Sequence, residues 1–429
     1  MNRGFMKGDL MGTVVCIIGL GYVGLPLARA FSEKFQVIGF DTDVKKLNQF
    51  RAEQAGSHET SFRDLTFTST PEGINEVDYI IICVPTPVTS SKEPDLSYVN
   101  NAAGTVGRHM KKGVVVILES TVFPGVTEEV VKPILEKESG LKCGQDFKIG
   151  YSPERVNPGD AEHTVDATTK VVSGMDSETT GLIAELYRQI AADVFLAKNI
   201  KTAEAAKVIE NIQRDLNIAL VNELSMLFDK MGLSTRDILE TAATKWNFHR
   251  YIPGLVGGHC IPVDPYYLVH KAKEFDYHPQ VILAGRTIND SMPKHVAAIT
   301  IRALNNMGKV IKGSKVLIMG LTYKENVPDT KESPVKVIIK ELRAFGIDVF
   351  GHDPLLGNIG NEFNIEAVKG IQSVNGVDAI ILAAPHDVFK DISLHELKKV
   401  MNDKPILIDV KRLYDSADAE KAGYYYLAL

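Results

Sequence analysis

Thr13-Val14-Val15-Cys16-Ile17-Ile18-Gly19-Leu20-Gly21-Tyr22-Val23-Gly24 decides the fold of this chain. A short β-rich run leads straight into Gly-x-Gly-x-x-Gly, and an apolar helical pattern follows from Leu25 through Ala30. The order is strand, tight turn, helix. In a dinucleotide-binding turn the first glycine allows the bend, the second admits the pyrophosphate, and the third packs helix on strand. The helix N-terminus then faces the phosphates. The next β-rich run, Gln36 to Phe40, ends at Asp41, 20 residues after Gly21, where a carboxylate takes a ribose 2′-hydroxyl. That carboxylate would repel a 2′-phosphate, so NAD is expected rather than NADP. Gly19, Gly21, Tyr22, Val23, Gly24 and Asp41 are the expected cofactor contacts. Lys46 is expected on the following helix, facing solvent or the ribose edge.

Further strands follow at Asp78 to Val84, ending in Pro85-Thr86-Pro87, and at Val114 to Leu118, ending in Glu119-Ser120-Thr121. Ligands of open α/β sheets gather beyond the carboxyl ends of strands, which points Pro85, Thr86 and Thr121 at the cofactor. Capping or turn chemistry is the plainer role for either threonine. The candidate strand Phe147 to Gly150 precedes Pro153-Glu154-Arg155, where Glu154 either orients a water or pairs with Arg155. From Thr202 to Met231 the pattern is helical without proline. Ala203, Ala206, Ile209, Ile212, Leu216, Ala219, Leu220 and Leu224 read as its apolar face. Lys207 and Asn211 are four apart on it, hence on one side. Strands then return at Lys315 to Leu321, Asp348 to Gly351, Ala379 to Ala383 and Ile406 to Asp409, without a second full glycine fingerprint. Thr322, Tyr323 and Lys324, after the first of these, offer backbone N–H groups and a cation to a phosphate.

The expected fold class is therefore α/β: two doubly wound Rossmann-like domains joined by a long central helix and a helical middle domain. The expected divisions are 1–200, an NAD-binding domain; 201–305, a helical dimerisation domain; and 306–429, a second nucleotide-binding α/β domain. A chain of 429 residues is too long for one core. Its 48 basic and 54 acidic residues leave a net charge of -6 and no basic block, so nucleic acid is not an expected partner. No apolar run approaches the ~20 residues of a membrane span. Met1 to Gly12 lacks the apolar core of a signal peptide and reads as a frayed tail, with Met6 and Met11 as alternative starts. Cys16, Cys83, Cys143 and Cys260 lie far apart, in neither metal nor disulfide spacing, which fits a reducing cytoplasm.

Gly257-Gly258-His259-Cys260-Ile261-Pro262-Val263-Asp264-Pro265 sets one of these thiols in a loop of unusual backbone freedom. Paired glycines let the chain approach a ligand or take φ > 0, and the prolines stiffen the exit. Two readings of Cys260 stand on the loop alone. It is a nucleophile reached by substrate, or a buried structural thiol of the common kind.

Taken in order, several segments resemble the UDP-glucose/GDP-mannose dehydrogenase family over almost the whole chain. They are Gly19 through Pro26, Glu119-Ser120-Thr121-Val122, Pro153-Glu154-Arg155, the cysteine loop, and Gly320 through Lys324 to Asp329 and Ser333. The resemblance implies metal-free oxidation of C6 of a nucleotide sugar from alcohol to carboxylate with two NAD per turnover. It implies that Cys260 forms a thiohemiacetal and then a thioester, and that Lys207 and Asn211 hold the oxyanion at C6. Asp264 would orient a water or Lys207, and Thr121 and Glu154 the hydrolytic water. Lys324 matches the position that contacts UDP, and Arg155, Arg250, Tyr251 and Gly257 complete the expected substrate contacts. Two positions depart from the family pattern. Thr244 stands where UDP-glucose enzymes carry arginine, and Lys245 through Val256 looks like the branch acting on UDP-N-acetyl-hexosamines, glucosamine or galactosamine. Lys331 replaces an arginine and loses its bidentate fork. Trp246, in the same segment, reads either as a branch mark or as core. The UDP-N-acetylmannosamine and UDP-glucose enzymes are the alternatives, a homodimer is expected from the long helix, and surface polysaccharide synthesis is the implied role.

Overall fold

A computed structural model describes residues 10–56, 64–155 and 164–429. Most of the segment read as a tail, residues 1–9, lies outside them. The chain divides into two compact units, Met1–Glu210 with Tyr266–His278, and Asn211–Pro265 with Pro279–Leu429.

The first unit is built on an eight-stranded sheet of order β3-β2-β1-β4-β5-β6-β7-β8. Its strands are β1 Val14–Ile18, β2 Gln36–Phe40, β3 Leu65–Thr68, β4 Tyr79–Ile82, β5 Val115–Leu118, β6 Lys148–Tyr151, β7 Thr169–Gly174 and β8 Asp193–Leu196. All neighbours pair in parallel except β6 with β7. Strands covered on both faces read as unbroken apolar runs, and Ile80, Ile81 and Ile82 are fully buried in succession. Helices α1 Gly24–Ser32, α2 Val44–Gly56, α3 Ser97–His109, α4 Lys132–Ser139 and α5 Ser177–Tyr187 belong to this unit. The expected strands stand within a residue or two of their places; β3, β7 and β8 lack an equally clear apolar run.

Helix α6, Ile200–Met231, belongs to the first unit as far as Glu210 and to the second beyond it. Its apolar face departs from the expected one at Ile209 and Leu220, which are exposed, as are Leu227 and Met231 beside them, while Ala203, Ile212 and Ala219 are buried as expected. The buried side mixes Ala203, Val208, Ile212 and Ala219 with Glu204, Lys207, Asp215, Asn222 and Ser225. An apolar count misplaces such a face because internal hydrogen bonds offset the desolvation of its polar groups.

In the second unit α7 Thr235–Ala242, α8 Asp264–Lys273 (to Pro265; the rest lies in the first unit), α9 Gln280–Asn306 and α10 Val335–Ala344 accompany a six-stranded parallel sheet. Its order is β11-β10-β9-β12-β13-β14, with β9 Lys315–Met319, β10 Asp348–His352, β11 Glu366–Ala367, β12 Val377–Leu382, β13 Met401–Asp409 and β14 Tyr425–Ala428. This is a second doubly wound sheet. The turn after β9 copies the turn after β1: Gly320 has φ +78 as Gly19 has φ +91. The Leu321 N–H donates to Asp353 at 2.7 Å as the Leu20 N–H donates to Asp41 at 2.9 Å. Here, however, buried His386 occupies the Asp353 carboxylate at 3.0 Å. Trp246 is 92% exposed, on the turn after α7, and so is not core.

Candidate active site

The glycine turn of the first unit separates its three jobs cleanly. A side chain at Gly24 would stand 1.8 Å from the Gly19 carbonyl oxygen, so that glycine packs helix on strand. Gly19 has φ +91, and a side chain on it would stand 2.8 Å from the Cys83 carbonyl oxygen, so that one makes the bend. Gly21 meets nothing within 4 Å. Its open side, at the N-terminal end of α1, fits the approach of a pyrophosphate. Gly21→Ala is therefore expected to leave the melting temperature unchanged while NAD affinity falls about tenfold or more, ~1.4 kcal/mol. Calorimetric titration with NAD beside a thermal melt checks this, and a matching loss of melting temperature counts against it.

Asp41 follows β2 and is buried, one oxygen accepting from the Leu20 N–H and the other from the Asp43 N–H at 2.9 Å. Lys46, expected on the helix after β2 and facing solvent or the ribose edge, pairs with Asp41 from the first turn of α2. Partial burial pushes the Asp41 carboxyl up, but Lys46 and the two N–H groups outweigh it and hold it below the usual carboxylate range. An ionised acceptor thus stands at the strand end. Tyr22 is exposed, Val23 is the residue before α1, and Pro85 is exposed. Thr86 and Thr121 are half-buried and precede no helix that either caps. The Thr86 carbonyl accepts from the Tyr267 hydroxyl at 2.5 Å. Ser120, which the sequence reading passed over, donates to the Val84 carbonyl at 2.7 Å and joins the ends of β4 and β5.

Glu154 accepts the Arg155 N–H at 2.7 Å. The Arg155 guanidinium goes to the Thr169 carbonyl at 3.0 Å and to Glu210 of α6 at 2.9 Å. Lys207 is 8% exposed, one turn before Glu210's neighbour Asn211.

In the second unit Cys260 is exposed, and its carbonyl accepts from the Val263 and Asp264 N–H groups at 3.0 and 2.8 Å. It thus precedes α8 by one turn, at the helix end that favours negative charge. The loop is gripped at three points. The Asn222 amide clasps Gly254 with two bonds, 3.0 Å to its carbonyl and 2.8 Å from its N–H. The Gly258 N–H donates to the Lys331 carbonyl at 3.1 Å, and His259 Nε2 meets Asp329 at 2.8 Å. The glycines' freedom is used against protein. Gly258 has φ +92 with the Tyr323 ring 2.5 Å from where a side chain would begin. Gly257 is closed by the Glu332 carbonyl, Pro334 and Tyr323. Asp264, 3% exposed, accepts from the Asn211 amide at 2.5 Å. Lys324 lines a pocket with Tyr323, Glu325, Leu255 and Lys411. Arg250 is exposed and pairs with Glu240 at 3.7 Å, while Tyr251 is half-buried.

The supports behind this loop were not read from the sequence. Asn222 is bound by Asn289 at 2.8 Å, Asn289 by Asp215 at 2.7 Å, and Asp215 by Arg286 at 2.5 Å, all buried. A signal was present: Glu204, Lys207, Asn211, Asp215, Asn222 and Ser225 form a polar stripe at helical spacing.

The family model for the NAD binding domain of the UDP-glucose/GDP-mannose dehydrogenases matches residues 13–191, that for the central domain 201–291, and that for the UDP binding domain 317–416. The chain belongs to the UDP-glucose/GDP-mannose dehydrogenase family. It is 45% identical over 94% of its length to the UDP-N-acetyl-D-glucosamine 6-dehydrogenase of Pseudomonas aeruginosa, covering 97% of that protein. It is 34% identical to the UDP-N-acetyl-D-mannosamine dehydrogenase of Pyrococcus horikoshii, over 93% of this chain and 95% of the relative. Among solved structures, the Pyrococcus horikoshii UDP-D-ManNAc dehydrogenase superimposes with TM-score 0.87 at 30% identity, over 97% of this chain and 99% of that one. The chain is thus an NAD-dependent UDP-sugar dehydrogenase of this family. Among the described residues no helix is long and apolar enough to cross a membrane, and no three His, Cys, Asp or Glu side chains are grouped to hold a metal.

Proposed function

We propose that this member of the family oxidises C6 of UDP-N-acetylglucosamine, or of UDP-N-acetylgalactosamine, to the uronic acid through a Cys260 thioester. The observation that carries the reading is an exposed thiol on a braced loop, in a chain 45% identical to two UDP-N-acetyl-D-glucosamine 6-dehydrogenases. Thr244, in place of the arginine of UDP-glucose enzymes, supports the N-acetyl branch.

NAD would be held by Gly19, Gly21, Tyr22, Val23, Gly24, Asp41, Lys46, Pro85, Thr86 and Thr121, and each of two NAD bound in turn would supply the acceptor for one hydride from C6. Lys207 receives the C6 hydroxyl proton as the alcohol becomes an aldehyde. The Cys260 sulfur then adds to that carbon, and Lys207 with Asn211 stabilises the resulting oxyanion. Asp264 holds the Asn211 amide in place for this. After the second oxidation the carbon is a thioester. Water oriented by Thr121 and Glu154 attacks it, the C–S bond breaks, and the carboxylate leaves with the sulfur restored. General acid–base assistance of this sort contributes ~10²–10⁴ in rate. Lys324, Arg155, Arg250, Tyr251 and Gly257 hold the UDP-sugar. The product would enter surface polysaccharide synthesis from the cytoplasm.

UDP-N-acetylmannosamine is the second reading, favoured by the mannosamine relatives at 30–34% identity. Incubation with NAD and a panel of UDP-sugars, counting NADH per sugar consumed, tests the proposal. A ratio of two with UDP-N-acetylglucosamine preferred is expected; a ratio of one overturns the four-electron course. The exposed stripe Leu220, Leu227 and Met231 of α6 supports a homodimer, for which the sedimentation coefficient is the check.

A further inference from the structure

The first unit buries an ion pair that the reaction above leaves without a task. Lys170, on β7, donates to the Glu119 carboxylate at 2.7 Å and to the Pro153 carbonyl at 3.0 Å. The side chains are 7% and 0% exposed. The second Glu119 oxygen accepts from the buried Tyr187 hydroxyl at 2.5 Å. Burial opposes the charge on Lys170, and the carboxylates of Glu119 and Glu154 overcome that opposition and keep the ammonium charged. Glu119 stands two residues before Thr121, and Pro153 one residue before Glu154.

We propose that Lys170 is a positioning residue for thioester hydrolysis, its ammonium tying the loop that carries Thr121 to the loop that carries Glu154. The inference rests on the reading of those two residues as the pair that orients the attacking water. β5 and β6 are neighbours in the sheet, but among the described residues the segments that follow them share no ladder beyond the strand ends. One cation with a ligand in each loop sets their spacing. An apolar residue there would pack without setting it. In the step concerned, water oxygen forms a bond to the acyl carbon and the C–S bond breaks. One water proton returns to sulfur and the other to solvent, with no change of oxidation level.

The test compares wild type, Lys170→Met, Lys170→Arg and Glu154→Gln in a first turnover with UDP-N-acetylglucosamine and excess NAD. NADH is followed by absorbance and protein mass after acid quench. Lys170→Met is expected to give the full burst of two NADH per site, then release acid about 10²-fold more slowly, as loss of alignment does. The protein then carries the acyl mass on Cys260, and Lys170→Arg recovers part of the rate. Acid release at the wild-type rate, or loss of the burst with no adduct, overturns the proposal. Should Lys170→Met lose NAD binding and so fail to fold, Glu119→Gln decides by the same readouts. An adduct in Glu154→Gln with none in the Lys170 and Glu119 variants sinks the role of Lys170 alone. No adduct in any variant sinks the thioester reading and this inference together.

Discussion

Cys260→Ser is expected to abolish uronic acid formation, by ~10³-fold or more, because a hydroxyl is a far weaker nucleophile toward the aldehyde than a thiolate. NAD binding should survive, since Gly19, Gly21 and Asp41 belong to the other compact unit. The acid is measured by anion-exchange separation of the UDP products, and NAD binding by titration. Cys260 is exposed and its loop is anchored through Asn222, Lys331 and Asp329 by groups other than the sulfur. Serine should therefore fold as cysteine does. Normal acid output would remove the sulfur from the mechanism.

Asp215→Ala is expected to cost the second unit about 3 kcal/mol, because the Arg286 guanidinium, 1% exposed, loses its buried carboxylate and keeps only the half-exposed Asp290. For a unit of this size that lowers the melting temperature by on the order of 10 °C. The damage should reach the cysteine loop: Asn289 bonds both Asp215 and Asn222, and Asn222 clasps Gly254. Replacing both partners, Asp215→Leu with Arg286→Met, should recover much of the loss, since an apolar pair of similar volume leaves no stranded charge. Thermal unfolding of the three variants checks this. A single variant melting within a degree of wild type would show that the pair braces nothing.

Much of the first sheet was legible because each element is signalled locally. β-branched runs mark β1, β4 and β5, and the glycine turn with Asp41 marks a dinucleotide site at the carboxyl ends of β1 and β2. The same reading misplaced groups whose surroundings come from far along the chain. Trp246 read as a branch mark or as core, and it is exposed on the turn that carries it. Ile209 and Leu220 were counted inward by their apolarity, while Asp215 and Asn222 took the buried side because Arg286 and Asn289 of α9 meet them there. The Asn211 amide, 53 residues away, meets Asp264 through a turn that spacing does not reveal.

Residue order alone settled the α/β class, the paired doubly wound sheets, the preference for NAD, and the family. The first three arise from periodicity or from groups near one another in the chain, where chain geometry dictates proximity, and the family from the resemblance of its motifs taken in order. Only the folded chain decided which polar groups are buried together. Gly257 and Gly258 are closed on by Tyr323, His386 takes the Asp353 carboxylate, and Lys170 joins the ends of two strands. Such partners lie dozens of residues apart, and a buried polar group is stable only where the fold delivers its complement.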